Sequence, residues 1–307
     1  MSYITTKEAA LRWGITEEMV RKYCRQGRIA LAEQRGKSWW VPQDAQKPQK
    51  QVAETPQLPP LAKRLSKEKT KRIYHGLYDY IQINLCYSSG RMASNRLMLK
   101  HVEEIFKTGK VRTGFEPIKV DDLIEAVNHF ACVNHIIETA TTPLTQGYIK
   151  SLHTMLGFGT MAQRRGKLRP SEYRTEPCKL TGTKTTPPKN INSQMAALLT
   201  EYERLDEVEL MQIADFHVRF EKIHPFEDGN GRVGRLLMLK ECLRHEVMPF
   251  IIDDKHRAQY LNGIKDWEYD KSTLLSTCHD AQQRFAAQLD LQELHRYAQR
   301  YKPFMEV

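Results

Sequence analysis

No uninterrupted apolar run in this chain approaches the roughly 18 residues that a membrane helix needs, so no membrane partner is expected. The opening stretch, MSYITTKEAALRWG, lacks the apolar segment of a secretory signal, and the expectation is a cytoplasmic protein. No CxxC pair occurs among the six scattered cysteines (Cys24, Cys86, Cys132, Cys178, Cys242 and Cys278), which argues against a zinc or redox site. A chain of 307 residues does not need a disulfide framework, so reduced, buried thiols are expected. Apolar residues are not scarce: 40% hydrophobic is ordinary for a globular protein. The length allows one domain of about 200 residues and a smaller one. What the chain has in excess is positive charge. A net charge of +10 fits a phosphate-rich partner without saying whether the phosphate belongs to DNA, to a nucleotide or to neither.

Residues 1–42 read as one unit. Thr5 or Thr6 can cap a first helix carrying Ala9, Ala10 and Leu11, and Trp13-Gly14-Ile15-Thr16 supplies a tight turn. Thr16 caps a second helix from Glu17 to about Gln26, with Met19, Val20 and Tyr23 on an inner face and Gly27 ending it. Ile29 to Val41 alternates around Arg35-Gly36-Lys37, the pattern of a β-hairpin with Gly36 in its turn. Residues 43–74 read as a Pro- and Gln-rich linker with a basic lead-in, 75–290 as the main domain and 291–307 as a tail. Apolar residues three and four apart predict helices near 97–106, 120–139, 146–156, 192–205, 208–223, 232–245 and 258–267. Residues 174–188 break the habit and suggest a short exposed hairpin. No internal repeat is found.

The chemistry is concentrated in His224-Pro225-Phe226-Glu227-Asp228-Gly229-Asn230-Gly231-Arg232-Val233-Gly234-Arg235, between two apolar helices. Gly229 and Gly231 permit backbone conformations in which successive amides converge on one anion. The helix that follows adds unpaired N–H groups, around Asn230, and a partial positive charge. Arg232 and Arg235, three apart, share a face and present planar donor forks to phosphate oxygens. Asp228 stands where a divalent cation bridging phosphates, magnesium by preference, would be held. His224 is the one group of the twelve able to take a proton near neutral pH. A lone histidine or a lone Gly-x-Gly would read as structural; a base, a carboxylate, an anion nest and two arginines in this order do not.

This segment resembles the Fic family signature HxFx(D/E)GNGRxxR at every defined position. Ile149 to His153 resembles the Leu-His helix upstream of Fic active sites, and Gly166-Lys167-Leu168-Arg169 the Gly-Lys-x-Arg after it. Arg257 with Tyr260 fits the downstream helix, and the likeness runs over about residues 75–285. The resemblance implies a mainly α fold, a Fic-type helical bundle with a β-hairpin flap. It implies transfer of AMP from Mg·ATP to a Ser, Thr or Tyr hydroxyl of a target protein or of the chain itself. His224 is then the base, Phe226 the apolar anchor, Asp228 the magnesium ligand, and Gly229, Asn230, Gly231, Arg232 and Arg235 the phosphate site. Leu180, Thr181, Gly182 and Thr183 of the flap would pair edge to edge with the target. Transfer of UMP or phosphocholine, or a nucleotide-sensing regulator, stay open as alternatives, and so does a homo-oligomer.

Many relatives carry an inhibitory helix reading S/T-x-x-x-E-G/N, whose glutamate pairs with the second motif arginine. Ser89-Gly90-Arg91-Met92-Ala93-Ser94 fits that register, with Ala93 where the glutamate belongs. Arg235 is therefore expected to be free for ATP and the transferase released. Natural loss, deliberate substitution and a core helix unrelated to control all remain open. Residues 1–42 resemble the winged helix-turn-helix of MerR-like and excisionase-like DNA binders, with Arg21, Lys22, Arg25 and Arg28 on or after the second helix and Arg35 and Lys37 on the wing. Residues 1–50 hold ten Lys or Arg against five Asp or Glu, about half the chain's surplus, a concentration suited to DNA phosphates. A protein-docking module is the plainer alternative.

Overall fold

Thr5 starts the first helix. A computed structural model describes residues 2–48, 57–112, 117–178 and 185–300, and the chain divides into two units, Met1–Pro56 and Gln57–Val307. The first unit runs β1 (Tyr3–Thr5), α1 (Thr6–Trp13), α2 (Glu17–Arg25), β2 (Glu33–Arg35) and β3 (Ser38–Pro42). The Thr5 hydroxyl accepts from the Glu8 amide while the Glu8 carboxylate accepts from the Thr5 amide, a reciprocal cap worth about 1 kcal/mol. Thr16 caps α2 more simply, its hydroxyl accepting from the Met19 amide at 3.3 Å. The sheet is antiparallel in the order β1-β3-β2, and pairing of Arg35 with Ser38 leaves Gly36-Lys37 as a two-residue turn. Ala9, Ala10, Val20, Tyr23, Cys24, Ile29 and Val41 form its small core.

The second unit is built of α3 (Pro60–Lys71), α4 (Leu77–Met92), α5 (Leu99–Thr108), α6 (Val120–Glu138), α7 (Gln146–Gly157), α8 (Met161–Arg164), α9 (Ile191–Glu203), α10 (Leu210–Ile223), α11 (Asn230–Arg244), α12 (Arg257–Asp266), α13 (Ser272–Ala286) and α14 (Leu291–Arg300). The helices expected from periodicity appear within about three residues of the expected bounds. The linker reading of 43–74 needs correction. Pro60 stands at the first helical position, where a missing N–H costs nothing, and α3 buries Leu61, Ala62 and Leu65 in the main core. The tail reading of 291–307 changes as well, because α14 is helical and its buried Glu293 pairs with Arg64 of α3.

α11 is the centre of this unit, packed on α10, α6, α7 and α4. Its Val233, Leu236, Leu237, Leu239, Cys242 and Leu243 are all buried, and each large side chain so covered contributes about 1.5–3 kcal/mol. Lys240 is fully buried on the same helix and pairs with Glu241 at 2.9 Å, also donating to the Thr142 carbonyl. Five of the six cysteines are buried, Cys178 is half-buried, and none is paired. No helix among the described residues is long and apolar enough to cross a membrane.

Candidate active site

The α10–α11 hairpin carries the twelve-residue motif. His224 ends α10 in the left-handed conformation (φ 52°, ψ 61°), its amide still donating to the Phe220 carbonyl at 3.0 Å. A non-glycine residue in this region stores roughly 1–2 kcal/mol of strain, which the surrounding loop must hold. Nδ1 is a buried nitrogen of the ring, and the residue lines the cleft described below. Burial pulls the imidazole below its ordinary pKa of 6.5; the Glu221 carbonyl opposes this, the Arg174 charge adds to it and Asp228 opposes it. The ring is thus neutral at pH 7 and able to accept a proton.

Phe226 is wholly buried, stacked on His153 with ring centroids 3.8 Å apart and 4° between planes. His153 in turn meets the Asp228 carbonyl through Nε2 at 3.1 Å. The Asn230 side chain exchanges two 2.9 Å hydrogen bonds with the backbone of Phe226 and closes the loop. That amide side chain therefore serves the loop's structure, and the backbone N–H of Asn230 belongs to the first turn of α11. Gly229 caps α11 at φ 83°, a conformation that would strain any other residue. It sets the first-turn N–H groups of α11 towards the loop, where an anion would complete them.

Asp228 is the exposed carboxylate of the loop, its side chain 68% accessible. One oxygen accepts from the Gly229 amide at 2.6 Å and the other from Arg232 at 3.1 Å. Arg232, nearly buried, also pairs with Glu125 of α6 at 2.6 Å. Arg235 is buried too. Its Nε donates to the Ser89 hydroxyl and its Nη2 to the Ser89 carbonyl, both at 3.0 Å. The expectation of a free Arg235 is corrected accordingly. Ala93 offers it no carboxylate, yet Ser89, one helical turn earlier, orients it.

These groups line one cleft of about 290 Å³: Ala93 at the end of α4, His224, Asp228 to Arg232, Arg235, and Arg257 with Tyr260 from α12. Glu221, one turn before His224, lines it as well, and burial raises its carboxyl to about 7 against the opposing charge of Arg235. Sequence reading passed over Glu221 and Glu125, since an isolated carboxylate on an apolar helix reads as a solvated charge. Among the described residues no cluster of three His, Cys, Asp or Glu could hold a metal alone. A lone exposed carboxylate beside an anion nest does suit magnesium, which binds through one or two carboxylates and completes its shell with phosphates and water. Arg169 pairs with Glu227 at 2.9 Å and joins the stretch after α8 to the loop. Leu180, Thr181, Gly182 and Thr183 lie outside the described residues, and no strand forms in 174–178 or 185–187.

In the first unit, Arg21, Lys22 and Arg25 are exposed on α2, and Arg35 and Lys37 are exposed at the hairpin. Arg21 pairs with Glu17 at 2.7 Å and Arg35 with Glu33 at 3.0 Å. Arg28 is half-buried, its guanidinium over the Tyr23 ring at 4.5 Å.

Residues 143–242 match the Fic/DOC family. A probable protein adenylyltransferase of Aquifex aeolicus is 31% identical over 104 residues, 32% of this chain and 31% of that protein. The protein adenylyltransferase Fic of Aedes aegypti is 48% identical over 49 residues, 16% of this chain and 10% of that protein. The chain thus spans less than a third of the length of these curated relatives. Among solved structures, a Fic domain containing signaling protein from Bacteroides thetaiotaomicron superposes with a TM-score of 0.59 at 19% identity, covering 74% of this chain and 93% of that one. Fic-1 from C. elegans gives 0.57 at 16% identity, over 75% and 71%. At these identities the likeness is one of fold. Residues 143–242 form a Fic/DOC-family domain, set in a helical unit of the fold those structures have.

Proposed function

We propose that this domain transfers AMP from Mg·ATP to a protein hydroxyl, on a target or on the chain itself. The observation that carries the reading is the shared cleft: a neutral imidazole, the amide-rich start of α11, an exposed carboxylate and two arginines face the same space. His224 takes the proton of a Ser, Thr or Tyr hydroxyl. The hydroxyl oxygen forms a bond to the α-phosphorus, the bond from that phosphorus to the bridging oxygen breaks, and pyrophosphate leaves. Amides at Gly229, Asn230 and Gly231 receive the oxygens that gain charge, and Arg232 and Arg235 grip the outer phosphates. Asp228 would hold magnesium, which neutralises phosphate charge when bound. With Ala93 in place of a glutamate, no carboxylate from the end of α4 competes for Arg235, and the transferase is de-repressed. The names of the curated relatives support the reaction class.

Intact mass measurement after incubation with each nucleoside triphosphate and magnesium tests this. A gain of about 329 Da with ATP is the mass of one adenylyl group added covalently; modification to an equal extent by another nucleotide, seen at that nucleotide's own mass, or none with ATP, contradicts the assignment.

For the first unit we propose a winged helix-turn-helix that places α2 in the DNA major groove, Arg21, Lys22, Arg25 and Arg28 facing DNA and Arg35 and Lys37 at the wing. Two helices joined by a tight turn, followed by a hairpin with basic residues at its tip, support this reading. Binding to the DNA upstream of its own gene should weaken steeply with salt in a gel-shift series. Salt-independent binding, or none, rejects it.

A further inference from the structure

Arg174 precedes residues 179–184 and has no place in the mechanism above, yet it is among the most buried charges of the second unit, 3% exposed. Among the described residues, every hydrogen bond it donates goes to a backbone carbonyl. Its amide donates to Pro225 at 2.9 Å. From the guanidinium, Nε donates to His224 at 2.7 Å and Nη2 to Ile223 at 3.4 Å, while Nη1 reaches Glu176 at 2.9 Å and Nη2 also reaches Thr186. No carboxylate among the described residues lies within ion-pairing distance of it.

Three of these acceptors are consecutive. Ile223, His224 and Pro225 are the carbonyls left over where α10 ends, and they carry the negative end of that helix. A cation there is favourable on its own; its planar fork fixes the Ile223 and His224 carbonyls, and its main-chain N–H holds that of Pro225. The remaining acceptors, Glu176 and Thr186, stand on either side of residues 179–184. One side chain therefore ties the histidine's own peptide unit to both flanks of that segment. His224 is held in a left-handed conformation that no glycine relieves, and the carbonyl of that same residue accepts from Nε at 2.7 Å. Lysine could not replace this set, because its three donors diverge from one nitrogen and cannot span carbonyls lying in several directions.

We infer that Arg174 is a positioning residue for the transfer: it locks His224 in its left-handed pose and aligns the histidine loop with the flanks of residues 179–184. This rests on the transfer reading above, but its claim about the ring does not. None of its partners belongs to the phosphate site formed by Gly229 to Arg235, so nucleotide binding and base placement should separate when it is changed.

The test compares the full chain as wild type, Arg174→Met, Arg174→Lys and His224→Ala. Three readouts are taken: the Kd for Mg·ATP by calorimetry, the rate of label transfer from [α-³²P]ATP per folded molecule, and the NMR resonances of ¹³C-labelled histidine rings, with His224 assigned by its loss in His224→Ala. Both Arg174 variants should keep the Kd within about threefold and shift the His224 resonance. Transfer should fall on the order of 100-fold, as expected when a base is displaced by about 1 Å, and Lys should restore only a fraction. Unchanged transfer and an unchanged His224 resonance in Arg174→Met would overturn the inference; so would a loss of ATP binding in step with transfer. If Arg174→Met does not fold, Arg174→Lys carries the same comparison. Absence of label in the wild type would count against the transfer reading alone, and the ring resonance would still decide the role of Arg174.

Discussion

His224 sits at the end of a helix, and its surroundings set the pH range in which it titrates. Burial and the nearby Arg174 charge lower its pKa from 6.5, and these outweigh the Glu221 carbonyl and Asp228. A base whose pKa is lowered stays unprotonated further into acid. The transfer rate should reach half its maximum at a pH below 6.5; a half-maximal point above 6.5 contradicts the assignment. Ala93 poses a second test at the same scale. It shares the cleft with Arg235, whose guanidinium donates to Ser89. Ala93→Glu should place a carboxylate beside that guanidinium and lower transfer by at least about tenfold, the order of one charge-assisted contact with a competing phosphate. Equal rates in the two forms contradict the release of the enzyme by Ala93. Within the motif the convergence of these groups on one cleft was readable in advance, because His224, Asp228 and the arginines lie within twelve residues of one another. The contacts of Ser89 with Arg235 and of Glu125 with Arg232 join helices more than a hundred residues apart, and nothing in local spacing marks such pairs.

Elements place what residues supply. α10 and α11 cross closely enough that a Cβ added to Gly234 would lie 2.6 Å from Glu221 Oε1 and 2.7 Å from His217 Cε1. His217 cannot swing away freely, since its Nε2 meets the Tyr260 hydroxyl at 2.6 Å. Gly234→Ala should therefore force the helices apart and destabilise the second unit by about 1–3 kcal/mol, the usual cost of overpacking. Denaturant unfolding measures this, and an unchanged midpoint would show that the crossing tolerates a methyl group. Helix existence was legible because apolar spacing is a property of each segment. α3 was not, since Pro59-Pro60 and the basic run after them look like a broken linker, and only the packing of Leu61, Ala62 and Leu65 reveals a helix that proline begins. The reading of 174–188 as a hairpin rested on weak alternation, and the pull of Arg174 on the carbonyls of Glu176 and Thr186 leaves no trace in such a pattern.

At the scale of the molecule, three histidines inside the second unit make its stability depend on pH. Burial, with nearby arginine charge, lowers His129 and His217 to about 3 and His153 to about 4, against 6.5 when unfolded. Below pH 6.5 the unfolded chain gains these protons and the native fold does not, so stability falls as acid is added. Glu221 acts in the opposite sense: its carboxyl, raised to about 7, holds a proton in the fold that the unfolded chain has lost above 4.5. Between pH 6.5 and 4.5 the histidines exceed it by two protons, a slope of about 3 kcal/mol per pH unit at its steepest. Denaturant titrations at pH 7 and pH 5 should show that loss, and a higher midpoint at pH 5 contradicts it. All of the functional account depends on His224 acting as a base beside bound triphosphate. The direct measurement is label transfer from [α-³²P]ATP with magnesium by the wild type and by His224→Ala. Label on protein in the first, lost in the second while ATP still binds, is the predicted result; no label in either, or equal label in both, contradicts it.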